Sequence, residues 1–391
     1  MRQVVEVAWE SLNKYGEELC GDSVVITTTP TSFLVVLSDG LGSGVKANIM
    51  ATLTSEIASE MFEHGAAVEE VMETLIETLP ECQVRKLAYA TFAMLRVWHG
   101  REAYLVEYDS PPLILVRQGA VVDLPAKVME IKGRKVREAH FTLQNNDYMV
   151  LISDGYEHAG VGGLYRLGWG WKNIATSVRR WVETGGDAYQ LTRALSKTAL
   201  KLYNNKPGDD STVVCMRVRP AVSATILTGP PANRDEDAAA VFKLMHSEGI
   251  KVICGGTTAQ IAARVLGEEL QVEWVPPSRR HGDTGRKKGS PPTAKLRGVD
   301  LVTEGILTLG QAVSLLEQAE TIHDLPADDD AATRLARILL SADDINFIAG
   351  TAINPNQVAD LIRGEPMRMV YIKQLVRELR RRTKQVTVER I

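Results

Sequence analysis

The sequence Phe33-Leu-Val-Val-Leu-Ser-Asp39-Gly40-Leu-Gly-Ser-Gly-Val-Lys-Ala47 is an apolar run that meets an aspartate and three closely spaced glycines. The apolar run predicts a buried strand, and the glycines predict a turn that needs positive φ angles or a close approach to another group. Asp39 is therefore expected at a strand end, beside exposed backbone carbonyls. Such a place suits a hard cation, which prefers oxygen ligands.

Aspartates at predicted strand ends recur along the chain. Ser153-Asp154-Gly155 follows a second apolar run, Asp209 and Asp210 precede a β-branched run, and Asp22 opens another. Brought together in one fold, these carboxylates would form an all-oxygen site for two Mg²⁺ or Mn²⁺ ions. The alternative is that each Asp-Gly or Gly-Asp pair is an ordinary turn. The repetition of one arrangement favours the metal site.

The order of these motifs resembles that of the metal-dependent protein phosphatase 2C superfamily. More narrowly, it is similar to the bacterial branch of stage II sporulation protein E type serine phosphatases. The resemblance covers residues 1–220 and rests on the order and spacing of the motifs together. The motifs that carry it are Gly21-Asp22, Ser38-Asp39-Gly40 with Gly42 and Gly44, Tyr89-Ala-Thr-Phe-Ala, Asp109-Ser-Pro111-Pro112-Leu113, Ser153-Asp154-Gly155 and Asp209-Asp210-Ser-Thr-Val-Val.

The resemblance implies a fold, an activity and a ligand set. The fold would be of the α+β class, an α/β-β/α sandwich of two antiparallel sheets with the metals at one end between them. The activity would be hydrolysis of phosphoserine or phosphothreonine by a water that bridges two Mn²⁺ or Mg²⁺ ions. Asp39 would bridge both ions, with further ligands from the Gly40 carbonyl, Asp154, Asp209 or its neighbour Asp210, and Asp22 as the early acid of the family.

Two departures from the eukaryotic pattern favour the bacterial branch. Leu41 stands where many eukaryotic members carry a histidine, a candidate general acid, and no residue matches their N-terminal phosphate-holding arginine. Lys46 could attract a phosphate, although a lysine that opens a helix is usually only solvated. The substrate implied by this branch is a small phosphorylated regulator, such as an anti-sigma-factor antagonist in a partner-switching pathway.

Length and composition predict a protein of two domains. The 391 residues exceed one typical domain, and each half is long enough to bury its own core. A net charge of −4 gives no general nucleic-acid or membrane signature, and no apolar run reaches the length of a membrane span. The start does not resemble a signal peptide. The four scattered cysteines predict buried thiols in a reducing cytoplasm.

Two segments of residues 1–220 bear on the site. A helix is predicted over 46–63, and its apolar residues are expected to lie on a sheet because they recur at three-to-four spacing: Ile49, Leu53, Ile57 and Met61. Segment 155–171 is rich in glycine and aromatic residues, which predicts a flap beside the metals. Its aromatic side chains either contact a protein substrate or pack on their own core.

A boundary is predicted near Arg219-Pro220, before a smaller α/β layer domain at 221–391 with a mostly parallel sheet. Turns at the carboxyl ends of parallel strands bind ligands, so Gly255-Gly256-Thr257-Thr258 is a candidate loop for a phosphate or nucleotide. No phosphate-loop or dinucleotide fingerprint is present, and N-capping by threonine is the plainer alternative. The basic amphipathic tail at 374–382 is a candidate for self-association as a homodimer.

Three functions remain open at this point. The first is an active serine/threonine protein phosphatase whose second domain senses a small ligand or recruits a partner. The second is a catalytically weak or silent relative that acts as a regulatory binding module. The third places the main activity in residues 221–391, as a domain that binds a nucleotide or sugar phosphate. The complete set of aspartates favours the first.

Overall fold

The computed structural model describes residues 2–29, 31–79, 90–163, 165–273, 293–352, 361–362 and 365–391. Cys82, and Tyr89 of the quoted family motif, lie outside these residues. The chain forms two compact units, Met1–Pro220 (unit 1) and Ala221–Ile391 (unit 2). Among the helices described, none combines the length and the apolar character that crossing a bilayer requires.

Unit 1 alternates antiparallel strands with pairs of helices. Its strands are β1 (Gln3–Leu12), β2 (Asp22–Thr28), β3 (Ser32–Gly40), β4 (Ala90–Trp98), β5 (Glu102–Tyr108), β6 (Ile114–Arg117), β7 (Ala120–Val122), β8 (Lys127–Ile131), β9 (Arg134–Thr142), β10 (Tyr148–Ile152) and β11 (Ser211–Pro220). Its helices are α1 (Gly44–Glu63), α2 (Val68–Thr78), α3 (Asp154–His158), α4 (Trp171–Val182) and α5 (Ala188–Leu202).

Two antiparallel sheets face each other in unit 1. One has the strand order β2-β3-β4-β5-β9-β8, and the other has the order β1-β11-β10-β6-β7. Val35 and Leu37 of β3 share one buried core with Met149 of β10 and Val214 of β11. Because side chains alternate across a strand, the residues between them point to the opposite face of their sheet.

Helices cover these outer faces. Leu34 and Val36 of β3 pack with Phe62 of α1 and Met72 of α2. On the second sheet, Ile152 of β10 belongs to a core that α4 and α5 complete. The layers are therefore helix, sheet, sheet and helix, and the α/β-β/α sandwich predicted for this half is confirmed.

The α1 helix contacts its sheet through small residues, which differs from the predicted face. Ala47 and Ala51 are fully buried, whereas Ile49 and Leu53 are 47% and 43% exposed. The helix approaches the sheet so closely that a Cβ atom at Gly40 would overlap the carbonyl oxygen of Ala47. Only small side chains fit at that separation, so the prediction that Ile49 and Leu53 lie on the sheet was wrong.

Unit 2 alternates strands and helices. Its strands are β12 (Ser223–Thr228), β13 (Ile250–Cys254), β14 (Gln271–Glu273), β15 (Thr293–Leu296), β16 (Val299–Thr303), β17 (Asp344–Ala349), β18 (Leu361–Ile362), β19 (Glu365–Pro366) and β20 (Gln385–Arg390). Its helices are α6 (Asp237–His246), α7 (Gly256–Leu266), α8 (Ile306–Gln318), α9 (Ala331–Ser341) and α10 (Met367–Arg381).

The main sheet of unit 2 has the order β14-β15-β16-β13-β12-β17-β20. The run from β16 to β20 is parallel, and β14 and β15 add an antiparallel edge. The first strand, β12, is central: β13 and β16 follow on one side, and β17 and β20 on the other. The strand order therefore reverses between β12 and β17, and open parallel sheets bind ligands in the crevice at such a point.

Helices cover both faces of this sheet. The α6 and α7 helices pack on one face, and α8, α9 and α10 pack on the other. The predicted mostly parallel α/β layer domain is thereby confirmed. Met369, Ile372 and Leu375 of α10 are buried in this core. The apolar side of the basic tail is therefore used inside its own unit rather than offered to a second chain.

Candidate metal centre

Two aspartates of the six-stranded sheet lie opposite each other. In the antiparallel pair of β2 and β3, Asp22 is the register partner of Asp39. Directly opposed residues of such a pair point to the same face, with Cβ atoms about 5 Å apart. The amide of Gly40 donates to the carbonyl oxygen of Gly21 at 3.1 Å and holds the two strand ends together.

The five-stranded sheet brings the remaining acids to the same place. Asp154 is the first residue of α3, just after β10, and Asp209 and Asp210 immediately precede β11. The carboxyl groups of Asp39 and Asp154 are close enough to share a hydrogen bond, and Asp209 lies within electrostatic range of both. The structure thus brings together all five predicted aspartates.

Ser153 joins the ends of the two sheets. Its hydroxyl donates to Asp22 Oδ2 at 2.7 Å and accepts from the amide of Thr212 at 2.8 Å. Its own amide donates to the carbonyl oxygen of Thr212 at 2.9 Å. Asp22 belongs to one sheet and Thr212 to the other, so this buried serine fixes their separation. The motif Ser-Asp-Gly was visible in the sequence, but this role for its serine was not.

Gly155, the third residue of that motif, is required by a close contact. A Cβ atom there would overlap the carbonyl oxygen of Asp210. The Tyr203 hydroxyl donates to the Gly155 carbonyl from α5's C-terminal end. A larger residue at this position would push the α3 turn away from the strand that carries the last two acids.

Burial and mutual repulsion perturb the acids. Burial raises the pKa of Asp39 to about 10, and the charges of Asp22, Asp154 and Asp209 add to the effect. Burial also raises the pKa of Asp22 to about 7, against hydrogen bonds from Thr212 and Ser153 that favour its charged form. The pKa of Asp209 is raised for the same reason, burial first and then the charge of Asp154. Without a cation, the cluster therefore cannot keep all of its carboxyl groups ionised at neutral pH.

Unsatisfied oxygens show what the cluster would accept. Asp22 Oδ1 and Asp210 Oδ2 are buried without a hydrogen-bond partner. Carboxylate oxygens in this state, together with backbone carbonyls, match the donor set of Mg²⁺ and Mn²⁺. Across the described residues, no three His, Cys, Asp or Glu side chains are already arranged as a ligand cage. The acid cluster therefore suits Mg²⁺ or Mn²⁺ by its carboxyl groups and its unsatisfied acceptor oxygens.

Asp209 and Asp210 play different parts, which sequence alone left undecided. Asp210 is buried, and its Oδ1 accepts the backbone amide of Lys14 at 3.0 Å. Asp209 is more exposed, faces Asp154, and lies 3.9 Å from the Lys14 ammonium. Asp210 thus anchors the loop that follows β1, while Asp209 presents its carboxylate to the rim of the cluster. Lys14 had no signal in the sequence.

The segment after Asp154 is mostly core. Tyr156 and Trp169 are buried and stack with ring centroids 6.5 Å apart. Trp171 donates its indole N–H to the carbonyl of Pro112 at 2.7 Å. Tyr165 is 40% exposed. Of the two interpretations of this segment, packing on its own core therefore holds for Tyr156 and Trp169.

The predicted loop Gly255-Gly256-Thr257-Thr258 lies in unit 2, within a different site. Gly255 precedes α7 with φ of 134°, a conformation that favours glycine, and no side chain caps this helix. Threonine N-capping, the plainer alternative, is therefore not what the loop does. The loop borders a pocket at the carboxyl ends of β12, β13 and β16.

The family model for stage II sporulation protein E matches residues 29–219. The match covers most of unit 1, including Asp39, Asp154 and Asp209, and confirms the resemblance seen in the motifs. Residues 221–391 lie outside it. Among curated proteins, none matches the chain.

Solved structures of bacterial phosphatase domains are similar to this chain. The phosphatase domain with a regulatory-domain fragment of SpoIIE from Bacillus subtilis is 17% identical, with a TM-score of 0.47 over 56% of this chain and 64% of that one. The RsbU and RsbW domains of a Mycobacterium tuberculosis protein are 17% identical, with a TM-score of 0.44 over 61% and 67%. The catalytic domain of the serine/threonine phosphatase PstP with two manganese ions is 14% identical, with a TM-score of 0.38 over 56% and 100%.

Proposed function

We propose that unit 1, which carries the stage II sporulation protein E domain, is a metal-dependent serine/threonine protein phosphatase. The convergence of Asp22, Asp39, Asp154 and Asp209 at one end of two sheets carries this proposal. The buried Asp22 Oδ1 supports it, because this oxygen has no hydrogen-bond partner among the described residues and is free to bind a cation. A phosphatase fold with an oxygen-rich acid site is what metal-assisted phosphate hydrolysis requires.

Four side chains and one carbonyl would hold two Mn²⁺ or Mg²⁺ ions: Asp22, Asp39, Gly40, Asp154 and Asp209. When bound, such ions acidify a water and neutralise phosphate oxygens during in-line attack on phosphorus. Asp39 is the natural centre of the set, since Asp22, Asp154 and Asp209 all act on its pKa.

The remaining residues position these ligands. Ser153 donates to Asp22 and so fixes which of its oxygens stays free. Asp210 accepts from Lys14 and keeps the loop after β1 against the cluster. We therefore assign the ligand role to Asp209 and a positioning role to Asp210. The Lys14 ammonium lies 3.9 Å from Asp209 Oδ1, and the role we propose for it is contact with a substrate phosphate.

The substrate we propose is a phosphoserine or phosphothreonine on a small regulatory protein, such as an anti-sigma-factor antagonist. This follows from the family resemblance of unit 1, and regulation by unit 2 is part of the same proposal. Cys20, Cys215 and Cys254 are free thiols, which is the usual state in a reducing cytoplasm. A second candidate, a silent relative that only binds phosphoproteins, would keep the fold but not the turnover.

The test is phosphate release from a phosphoserine protein with Mn²⁺, compared between wild type and Asp39→Asn. Turnover that needs Mn²⁺ and is lost in Asp39→Asn supports the phosphatase. Asp123→Asn is the matched control, because it makes the same chemical change at an exposed aspartate after β7. Wild type without turnover and without calorimetric Mn²⁺ binding would leave the binding module as the function of unit 1.

A further inference from the structure

A pocket of about 750 Å³ lies in unit 2 at the carboxyl ends of the parallel strands. Thr228 at the end of β12, Cys254 at the end of β13 and Ala352 beyond β17 border it. It therefore occupies the crevice where the strand order reverses, the place where open parallel sheets bind ligands. Its volume is in the range of small-molecule sites.

Two buried hydroxyl groups at this pocket have no partner among the described residues. Thr228 is 0% and Thr258 is 2% exposed, and the Oγ1 atom of each is buried without a hydrogen bond. Both residues line the pocket. A buried hydroxyl without a partner is destabilising by about 1–3 kcal/mol, and most native hydroxyls avoid it. Because both residues line the pocket, an acceptor group bound there could supply the missing partner.

Arg368 lines the same pocket without a carboxylate partner among the described residues. Its Nη2 donates to the carbonyl oxygens of Gly350 and Ala352 at 2.7 and 3.1 Å, and its Nε is buried without a partner. Burial lowers its pKa, although a guanidinium stays charged at neutral pH. A buried positive charge is normally balanced by an anion.

The acidic residues at the pocket are already occupied. Asp237 pairs with Arg264 at 2.5 Å, and Glu304 Oε2 accepts the backbone amide of Leu307 at 3.0 Å. The amide leaves the charge of Glu304 in place. The described lining therefore sets Arg234, Arg264 and Arg368 against Asp237 and Glu304, which leaves a net charge of +1.

Backbone geometry places an anion against α7. The turn after β12 contains Pro230 and Pro231, which offer no N–H, so it cannot hold a pyrophosphate as dinucleotide-binding turns do. The α7 helix has no side-chain cap, and a Cβ atom at Gly256 would meet nothing within 4 Å, so its N-terminus is accessible. An accessible helix N-terminus binds anions through its amides and its dipole.

These groups are close together. A Cβ atom at Gly229 would overlap the guanidinium of Arg368. A Cβ atom at Gly255 would lie 3.0 Å from Thr258 Oγ1 and 4.0 Å from the Gly229 nitrogen. The arginine, the start of α7 and the Thr258 hydroxyl therefore surround one small volume.

We propose that this pocket binds a small molecule through a phosphate group, held by Arg368, the N-terminus of α7 and the hydroxyls of Thr228 and Thr258. The rest of the pocket is large enough for the sugar of a sugar phosphate or for a mononucleotide. The proposal concerns unit 2 alone. It stands whether or not unit 1 hydrolyses phosphoproteins.

The test is calorimetric titration of the full chain in EDTA with inorganic phosphate, ribose 5-phosphate and adenosine 5′-monophosphate. EDTA keeps the aspartates of unit 1 without cations, so that they repel anions instead of binding them. We expect one saturable site, with at least one organic phosphate about tenfold tighter than inorganic phosphate, since it fills more of the pocket. The tighter of the two organic phosphates distinguishes a nucleotide from a sugar phosphate, and unphosphorylated ribose is expected not to bind.

Three variants locate the binding. Thr258→Val keeps the shape and removes the hydroxyl, and we expect about tenfold weaker binding, as for a lost hydrogen bond to a charged group. Arg368→Gln is expected to weaken it further. Thr308→Val is the matched control, because its hydroxyl is equally buried and unpartnered but does not border the pocket.

Two results would overturn the proposal. One is the absence of saturable binding by all three phosphates at millimolar concentration, or binding of ribose as tight as that of ribose 5-phosphate. The other is equal affinity in wild type, Thr258→Val and Thr308→Val. If Arg368→Gln fails to fold by circular dichroism, the two valine variants decide the question without it.

Discussion

Unit 1 and unit 2 both place their chemistry where strands end, yet they present opposite charges there. In unit 1, Asp22 and Asp39 face each other across a strand pair, and Asp154 approaches them from the second sheet. In unit 2, Arg368 and the uncapped start of α7 border the pocket. In the first site the acids are too crowded for all of them to ionise without a cation, and in the second a guanidinium has no carboxylate partner among the described residues.

The difference follows from strand direction. In antiparallel sheets, both the beginnings and the ends of strands meet at one edge, so acids from distant parts of the chain come together there. In the parallel sheet, β13 and β16 are each followed by a helix whose N-terminus lies at the carboxyl ends of the strands. Helix N-termini carry partial positive charge. In this chain, the antiparallel sheets of unit 1 thus carry the site proposed for cations, and the parallel sheet of unit 2 carries the site proposed for an anion.

The largest expected effect is that of Asp39→Asn. This substitution tests whether the carboxyl of Asp39 is needed for activity and destabilises the metal-free fold. Loss of a residue that only hydrogen-bonds to a metal ligand lowers activity by up to about a hundredfold. Asp39 is proposed as a ligand itself, so we expect its loss to lower Mn²⁺-dependent activity by more than that. Because burial raises the pKa of Asp39 to about 10, its carboxyl destabilises the metal-free fold above the unfolded pKa of about 4. The melting temperature in EDTA is therefore expected to rise by a few degrees.

Calorimetric melting in EDTA and with Mn²⁺ measures both halves of this prediction. The Asp123→Asn control is expected to change neither activity nor melting temperature. A lower melting temperature for Asp39→Asn in EDTA would contradict the view that the acids repel one another, even if activity were lost.

The next effect separates Asp209 from Asp210. Asp209→Asn is expected to lower kcat by about a hundredfold, as for a lost ligand group, with little change in the urea midpoint. Asp210→Asn keeps an oxygen for the Lys14 amide and should retain activity within about tenfold. Asp210→Ala removes that oxygen and is expected to lower the free energy of unfolding by about 1–3 kcal/mol. The reverse ranking in kcat would make Asp210 the ligand.

Proton competition should make Mn²⁺ affinity depend on pH. Burial raises the pKa of Asp22 to about 7 and that of Asp39 to about 10. Mn²⁺ must therefore displace a proton from both carboxyls below pH 7, and its affinity should rise more than tenfold from pH 6 to pH 7. Because the pKa of Asp39 is about 10, the pH dependence of Mn²⁺ affinity should continue above pH 7, at about tenfold per unit. Between about pH 4 and pH 7, Asp22 keeps its proton in the metal-free folded protein but loses it in the unfolded chain. The stability of the metal-free protein should therefore fall as the pH rises through this range.

Calorimetric Mn²⁺ titrations at several pH values, with urea unfolding in EDTA, check both trends. Asp22→Asn should flatten the lower part of the pH dependence. A Mn²⁺ affinity that does not change with pH in wild type would mean that these carboxyls are already ionised in the metal-free protein.

The convergence of the aspartates was largely predictable from the sequence because they lie beside glycines at the ends of apolar runs. Sequence pattern does not contain register, however, so the opposition of Asp22 and Asp39 could not be derived from it. The link made by Ser153 between the sheets was hidden for the same reason. Lys14 lies in a loop without pattern, and only its contact with Asp209 reveals it.

Apolar periodicity did not show which residues are buried. The α1 helix has apolar residues at helical spacing, but it approaches its sheet so closely that alanines make the contact and Ile49 remains exposed. In unit 2, Arg368 reaches the pocket from beyond β17, far along the chain from Gly255. Spacing in sequence cannot show that the two meet.

A smaller effect is expected from Thr228→Val. This substitution tests whether an unsatisfied polar group of the unit 2 pocket destabilises the ligand-free fold, as Asp39 is expected to do in unit 1. Removing a buried hydroxyl that lacks a partner should leave the free energy of unfolding unchanged or raise it by about 1 kcal/mol in the absence of ligand. Thr192→Val is the matched control, because the Thr192 hydroxyl donates to the carbonyls of Ala8 and Ala188. The control is expected to lose about 1 kcal/mol in urea unfolding. Equal losses in both variants would mean that Thr228 is already satisfied.

The smallest effect is expected from Lys14→Gln. The Lys14 ammonium lies 3.9 Å from Asp209 Oδ1 and is 37% exposed, so its interactions are partly screened by water. The substitution leaves the backbone amide that Asp210 accepts, so only the charge is removed. If this lysine meets the substrate phosphate, KM for a phosphoserine protein should rise about threefold, with kcat nearly unchanged.

Lys206→Gln is the control for Lys14, since Lys206 stacks over Tyr15 at 4.9 Å and lies outside the acid cluster. Salt should reduce the difference between Lys14→Gln and wild type, because screening weakens an exposed charge. A tenfold loss of kcat at constant KM would instead place Lys14 in contact with the reacting phosphate in the transition state. Unit 1 would then use Lys14 to bind phosphate, as we propose that unit 2 uses Arg368. The two sites would differ less in charge than the aspartates of unit 1 suggest.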